Sequence, residues 1–201
     1  SERLDTITNP GPYVFKLFRA TSLNGTNYTL VKTVTANLFS EIIDTSFLDN
    51  GLNTVNNAYN YKVAFFARTT DSLGITESAS SVFLTVTPAY EALNLSWSFN
   101  VPWVNSNYVI YRKLPSSSTF DSLTTVSTTS YKDINLINDS LYCYKIKAIG
   151  SYPITGLKEP LINFSQEVCA KPSDTTLPCT PILTITNFCS DSKLDTSDFK
   201  N

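Results

Sequence analysis

The sequence predicts an all-β chain built of tandem antiparallel β-sandwiches. Two segments carry the same strand signature: Tyr59, Tyr61, Val63 and Phe65 alternate with other residues, and so do Tyr142, Tyr144, Ile146 and Ala148. Each is preceded by an aromatic strand ending in arginine, Phe15-Lys16-Leu17-Phe18-Arg19 and Tyr108-Val109-Ile110-Tyr111-Arg112. Short runs with a period of two, separated by turn residues and with no helix-period stretch of useful length, are the pattern of a sandwich.

In chain order, Tyr13 to Ala20 reads as a strand, and Asn24-Gly25 as the turn into Tyr28 to Thr35. Phe39 to Asp44 reads as a short strand, Tyr59 to Arg68 as a long one, and Ser78 to Thr87 as the strand closing a first unit at Pro88. Leu93 to Phe99 then opens a second unit with Leu93, Leu95 and Trp97 on one face, and Pro102 ends that strand. Tyr108 to Lys113, Ser122 to Ser127, Ser130 to Asp133, Tyr142 to Ile149 and a strand near Asn163 to Ala170 complete it. Lys171-Pro172-Ser173-Asp174 is a polar linker. Pro178 to Asn187 starts a third unit, and Ser190 to Asn201 is a polar tail. The expected division is 1–88, 89–172 and 173–201.

Composition narrows the function. The 201 residues carry a net charge of −2, which gives no electrostatic footprint for nucleic acid or an anionic membrane. No apolar run approaches the roughly 20 residues of a membrane helix. Neither methionine nor a leader pattern occurs, so an interior stretch or a processed chain is expected. Histidine is absent, which removes the commonest general base and metal ligand, and with it any Ser-His-Asp or Cys-His arrangement. The four cysteines include no CxxC pair, so a zinc site is not expected.

The second unit resembles a fibronectin type III domain over roughly residues 90 to 170. Trp97 sits where that family places its buried tryptophan. Leu136, six residues before Tyr142, resembles the tyrosine corner, in which the phenol oxygen bonds a backbone group just upstream. Ala148 ending the Tyr-x-Tyr-x-Ile-x-Ala run fits too. The resemblance implies immunoglobulin-like sandwiches, with the first unit lacking its initial strands and left with an open sheet edge. A strand from outside the given sequence or from another chain would complete it. Segments such as Leu4-Asp5-Thr6, Asn9-Pro10-Gly11-Pro12-Tyr13 and Cys179-Thr180-Pro181-Ile182-Leu183-Thr184 are similar to the gliding-motility-associated, type IX secreted surface proteins of Bacteroidetes. That resemblance implies an extracellular location and O-glycosylation at Asp-Ser/Thr-aliphatic triplets. Those triplets place the acceptors at Thr6, Ser72, Ser122 and Ser140, with Thr175 a close variant. Asp-Ser is also an ordinary turn pair.

Cys143 and Cys169 fall on strands expected to be antiparallel neighbours, nearly opposite each other. Either they form a disulfide in an oxidising compartment or they remain buried thiols. Cys179 and Cys189 flank one extended strand that would hold them about 30 Å apart, against the roughly 4.4–6.8 Å Cα spacing of a disulfide. They pair only if the strand folds back, or find partners elsewhere. Asp44 to Asp49 and Asp191 to Asp198 group carboxylates, but neither run matches a calcium loop. Trp103, after Pro102, is the best exposed aromatic; with Tyr90, Tyr108 and Tyr152 it could form a sugar-binding platform, or it could seal the junction between units. The expected function is non-enzymatic and extracellular, a structural or adhesive stalk segment without cofactor. Its partners are neighbouring domains, with self-association through a donated strand or contact with surface glycans. The alternative is a carbohydrate- or protein-binding module. Self-association predicts an open edge near Tyr13 or Ser78.

Overall fold

The structure, a computed structural model, describes residues 4–43, 46–154, 156 and 159–173. Among these, regular structure is all strand apart from one 3₁₀ turn at Phe39–Glu41.

The first unit is a single antiparallel sheet. Its strands are β1 (Tyr13–Thr21), β2 (Thr29–Ala36), β3 (Tyr59–Ala67), β4 (Asp71–Ile75) and β5 (Ala79–Ser80), in the order β2-β1-β3-β4 with β5 also on β3. Aromatic and β-branched residues dominate β1 and β3, as a pleated, half-buried surface favours. The β1–β2 turn is braced from below by Asn60. Its amide donates to Ser22 O (2.8 Å) and Gly25 O (3.2 Å), and its carbonyl accepts from the Tyr28 hydroxyl (2.6 Å). Gly25 is obligatory there, because a Cβ would fall 1.9 Å from Thr21 O.

The second unit is a closed two-layer sandwich. One sheet orders β10 (Ser130–Ile134), β7 (Ala92–Ser98) and β6 (Phe83–Ala89). The other orders β12 (Leu161–Phe164), β11 (Tyr142–Ser151), β8 (Val104–Lys113) and β9 (Asp121–Val126), with β13 (Val168–Ala170) also on β11. Leu84, Leu95 and Trp97 from the first layer meet Ile110, Tyr144 and Ile146 from the second in one buried cluster. Facing layers of alternating side chains about 10 Å apart are how such a core fills.

Four expectations are corrected. Phe39 to Asp44 is not a strand: Phe39–Glu41 is a 3₁₀ turn, and Asp44 lies outside the described residues. The corresponding strand of the second unit, β10, pairs with β7, and the described residues of the first unit include no β7 counterpart for such a pairing. Ser78 to Thr87 is not one strand. It divides into β5, which pairs with β3, and β6, which pairs with β7. The second unit therefore begins before Phe83 and not at residue 89, and Pro88 stands near the end of its first strand. Asp71–Ile75, unforeseen, forms β4 on β3. Tyr13 is not at an edge, because β1 runs between β2 and β3 and Tyr13 is only 2% exposed.

Candidate functional site

The inward face of the first sheet is aromatic, buried at Tyr13 and only half-buried at Phe15, Leu17, Val63 and Phe65. Phe15 stacks on Phe65 at 4.3 Å, and Tyr13 meets Phe39 edge-on at 5.9 Å. In the second unit β6, β7 and β10 lie over the equivalent face; among the described residues of the first unit no such layer exists. What remains is a groove of about 480 Å³ lined by Phe15, Leu17, Val34, Phe39, Phe47 and Val63. Lys32 and Ser46 are its polar side chains, so it suits apolar side chains presented by an extended strand rather than acid–base chemistry.

Both units build the same Arg–Asp–Tyr cluster. Arg19 lies opposite Tyr61 in the β1–β3 ladder, and Arg112 lies opposite Tyr144 in the β8–β11 ladder. Arg19 Nη1 donates to both oxygens of Asp49 at 2.8 Å, and the Tyr61 hydroxyl donates to the same carboxylate at 3.0 Å. Arg112 Nη1 donates to Asp133 at 3.1 and 2.8 Å, and the Tyr144 hydroxyl adds a bond of 2.7 Å. Burial, and then the Asp49 carboxylate, push the Tyr61 phenol up to about 12. Burial, and then Asp133, push Tyr144 up further still. The hydrogen bond that Arg19 donates to Asp49 holds its guanidinium above its ordinary range. Asp49, one of the acidic-loop residues, is thus engaged by Arg19 and Tyr61.

The other expected positions fall as follows. Cys143 and Cys169 face each other across β11 and β13, with their sulfurs bonded at 2.00 Å. Glu167 lies beside them in the one His/Cys/Asp/Glu group with metal-ligand spacing among the described residues. Its carboxylate is held by Lys113 at 2.6 Å, and sulfurs spent on each other offer no thiolates. Trp97 is 4% exposed in the core. Leu136 is buried, and the Tyr142 hydroxyl oxygen accepts from the Ile137 N–H at 3.2 Å.

Trp103 is half-buried and donates to Asn105 Oδ1 at 3.0 Å. It packs so closely on Gly150 that a Cβ there would lie 2.8 Å from its ring. The four-aromatic platform is not assembled, because Tyr108 is in the core against Trp97 at 5.4 Å while Tyr90 is exposed. Thr6, Ser72 and Ser122 are exposed, the last two on β4 and β9, and Ser140 is half-buried in a turn. The Thr8 hydroxyl and the Ile7 N–H both bond Asp5 around Thr6, and they lower the Asp5 pKa. Cys179, Cys189, Thr175, the third unit and Asp191 to Asp198 lie outside the described residues.

Sequence reasoning missed Asp49 and Asp133 as partners, although the repeated arginine and Tyr-x-Tyr were visible signals that an acceptor was needed. It also missed Thr76 and Ser165. Thr76 exchanges two bonds with Val63, N–H to O and N–H to Oγ1, each 2.9 Å. Ser165 exchanges the same two with Ile146 at 2.8 Å.

The layer order of the second unit defines an immunoglobulin-like β-sandwich, and the first unit repeats one of its two layers. Among solved structures the chain is similar to the crystal structure of chicken CNTN1 FN1–FN3 domains, with 11% identity and a TM-score of 0.34. That match covers 82% of this chain and 55% of the other, so the chain spans about half the length of that relative. No family model matches the chain. No curated protein matches it.

Proposed function

We propose that the chain is a non-enzymatic extracellular module, a stiff spacer within a larger cell-surface protein of the gliding-motility-associated kind. The observation that carries this reading is the junction at Ser80. β5 ends at Ser80 and β6 begins at Phe83, so almost no free linker separates the units. Ser80 N–H donates to Asn100 O at 2.7 Å, and Asn100 N–H donates to Ser80 Oγ at 2.8 Å. Asn163 Nδ2 donates to Ser80 O at 2.8 Å, and Asn100 Nδ2 reaches back to Leu23 O at 3.4 Å. Short bonded junctions limit bending, whereas flexible linkers let domains reorient.

The alternative is a carbohydrate- or protein-binding module, and its sugar-binding form is less well supported, because Trp103 donates its N–H to Asn105 and packs on Gly150. No helix among the described residues is long and apolar enough to cross a membrane. The reading expects glycans on the exposed Thr6, Ser72 and Ser122, visible as added mass on protein taken from its native surface. The direct test is a distance distribution between spin labels at Thr33 and Lys147. It should be narrow, and should broaden on inserting Gly-Ser-Gly between Ser81 and Val82. A broad distribution in the unaltered chain would sink the spacer reading.

A further inference from the structure

We propose that the open first unit takes up residues 181–187 of a second copy of this chain, in the place that β6 holds in the second unit. Three observations support this: the first unit keeps the docking edge for such a strand, the sequence contains a duplicate of that strand, and the duplicate is too short-tethered to dock on its own copy.

The docking edge is seen first in the closed unit. There β6 is held beside the last strand by Val82, which bridges Ser165 in parallel, and by Gln166. The Gln166 side chain accepts from Leu84 N–H at 3.0 Å and donates to Leu84 O at 2.8 Å, mimicking one rung of a ladder. Thr76 occupies the place of Ser165 in the first unit, since each exchanges the same pair of bonds with the matching residue of the long central strand, Val63 or Ile146. The next residue, exposed Glu77, therefore stands where Gln166 stands. Behind this edge lies the groove of Phe15, Leu17 and Val63, while the matching side chains Tyr108, Ile110 and Ile146 of the second unit are covered by residues that include Leu84.

The donor is legible in the sequence. Val82-Phe83-Leu84-Thr85-Val86-Thr87-Pro88 is matched by Pro181-Ile182-Leu183-Thr184-Ile185-Thr186-Asn187. Leu84 is buried and Val86 packs against the same core, while Thr85 and Thr87 face water. By the period of two, Leu183 and Ile185 would enter the groove and Thr184 and Thr186 would face out. Pro181, without an N–H, stands at the first position of the strand, where proline is tolerated.

Reach separates the two copies. Ser173 N–H is bonded to Ala89 O, at the end of β6 remote from the first unit. The seven residues of β6 alone span roughly 23 Å back to the junction, and the docking edge at Thr76 and Glu77 lies beyond it. Residues 174–181 extend at most about 28 Å, less than the roughly 33 Å of β6 and of β3 from Asn60 to Val63 laid end to end. A neighbouring copy has no such limit. The contact joins unlike surfaces, so copies add head to tail. It goes beyond the spacer reading and is independent of it.

The test uses the full chain with Cys179→Ser and Cys189→Ser, so that thiols cannot link copies, in sedimentation velocity over a concentration series. The expected result is a mass that grows past a dimer with concentration. L183D with I185D should return it to the 22.3 kDa monomer. Mixing that variant with a groove-blocked V63D chain should stop growth at a pair, because one partner keeps only a groove and the other only a strand. Glu77→Gln restores the donor half of the Gln166 clamp and should tighten association about fivefold; this variant does not rely on a substitution inside the groove. A chain that stays monomeric up to about 1 mM, the weak end of measurable affinity, would overturn the proposal. Association unchanged by L183D with I185D would overturn it too, and would point to two open faces packed on each other.

Discussion

The two units hold the same Arg–Asp–Tyr cluster, one beneath a second sheet and one in the open. The arginines are equally exposed, 25% for Arg19 and 24% for Arg112. The carboxylates differ, 14% for Asp49 against 5% for Asp133. Asp133 comes from a strand of the covering layer, and Asp49 comes from a loop. An arginine and a tyrosine paired across a central rung therefore capture a carboxylate whether or not a strand delivers it. The covering layer contributes desolvation, and desolvation sets how much the cluster matters.

Removing the two acids should separate the units most strongly. Asp133→Ala strands a half-buried guanidinium and a fully buried phenol, and should cost about 3–5 kcal/mol. Asp49→Ala leaves its partners able to reach water and should cost about 1 kcal/mol. Both tryptophans, Trp97 and Trp103, belong to the second unit. Urea unfolding followed by tryptophan fluorescence should therefore move sharply for Asp133→Ala and little for Asp49→Ala, with circular dichroism reporting the first unit. Equal shifts would mean that cover does not set the energy of the cluster.

The outer face offers a second contrast. The rung that carries Cys143 and Cys169 in the second unit carries Asn60 and Ser80 in the first. The covered unit bridges that rung covalently; the open unit uses it for the Asn60 brace and the Ser80 junction. With a sequence separation of 26 between the cysteines, replacing both by serine should lower the tryptophan-monitored stability by about 3 kcal/mol. Free thiols in the untreated chain, seen as two extra mass units for this pair without reductant, would remove the basis of that figure.

Much of the central ladder was legible from alternation. Tyr59 to Phe65 and Tyr142 to Ala148 had to be strands, because no other structure places every second residue on one face. Cys143 and Cys169 were legible as cross-strand neighbours, but for other segments the partner strand could not be read. Phe39 to Ile42 has the composition of a strand yet makes a 3₁₀ turn. Ser78 to Thr87 reads as one strand by the alternation of Val82, Leu84 and Val86, and only pairing reveals that it serves two sheets. The acids of the two clusters were hidden for the same reason: they lie 30 residues after Arg19 but 21 after Arg112, so no fixed spacing marks them.

Trimming matched side chains by one or two carbons tests the groove itself. Ile146→Val removes one methylene from a site with no exposure and should cost about 1 kcal/mol. Val63→Ala removes two carbons at the matching rung and should cost no more, because Val63 faces the groove and its loss leaves no sealed cavity. A penalty for Val63→Ala well above that of Ile146→Val, in the isolated chain at low concentration, would mean that the face is covered.

Alkaline titration gives the smallest and most local contrast. Tyr61 in the folded unit has its pKa near 12, above the roughly 10 of an unfolded tyrosine. The native state thus binds the proton more tightly, so the stabilisation is fully present below about pH 10 and is lost as pH rises towards 12. Tyr144 is shifted further in the same direction by deeper burial and by Asp133, so the second unit should begin to lose stability over the same range but keep losing it to higher pH. Phenolate absorbance at high pH should therefore show a late step that disappears in Tyr61→Phe and a still later one that disappears in Tyr144→Phe. If Tyr61 ionised together with the exposed tyrosines, its hydroxyl would not be held by Asp49, and the likeness between the two clusters would be one of sequence and not of bonding.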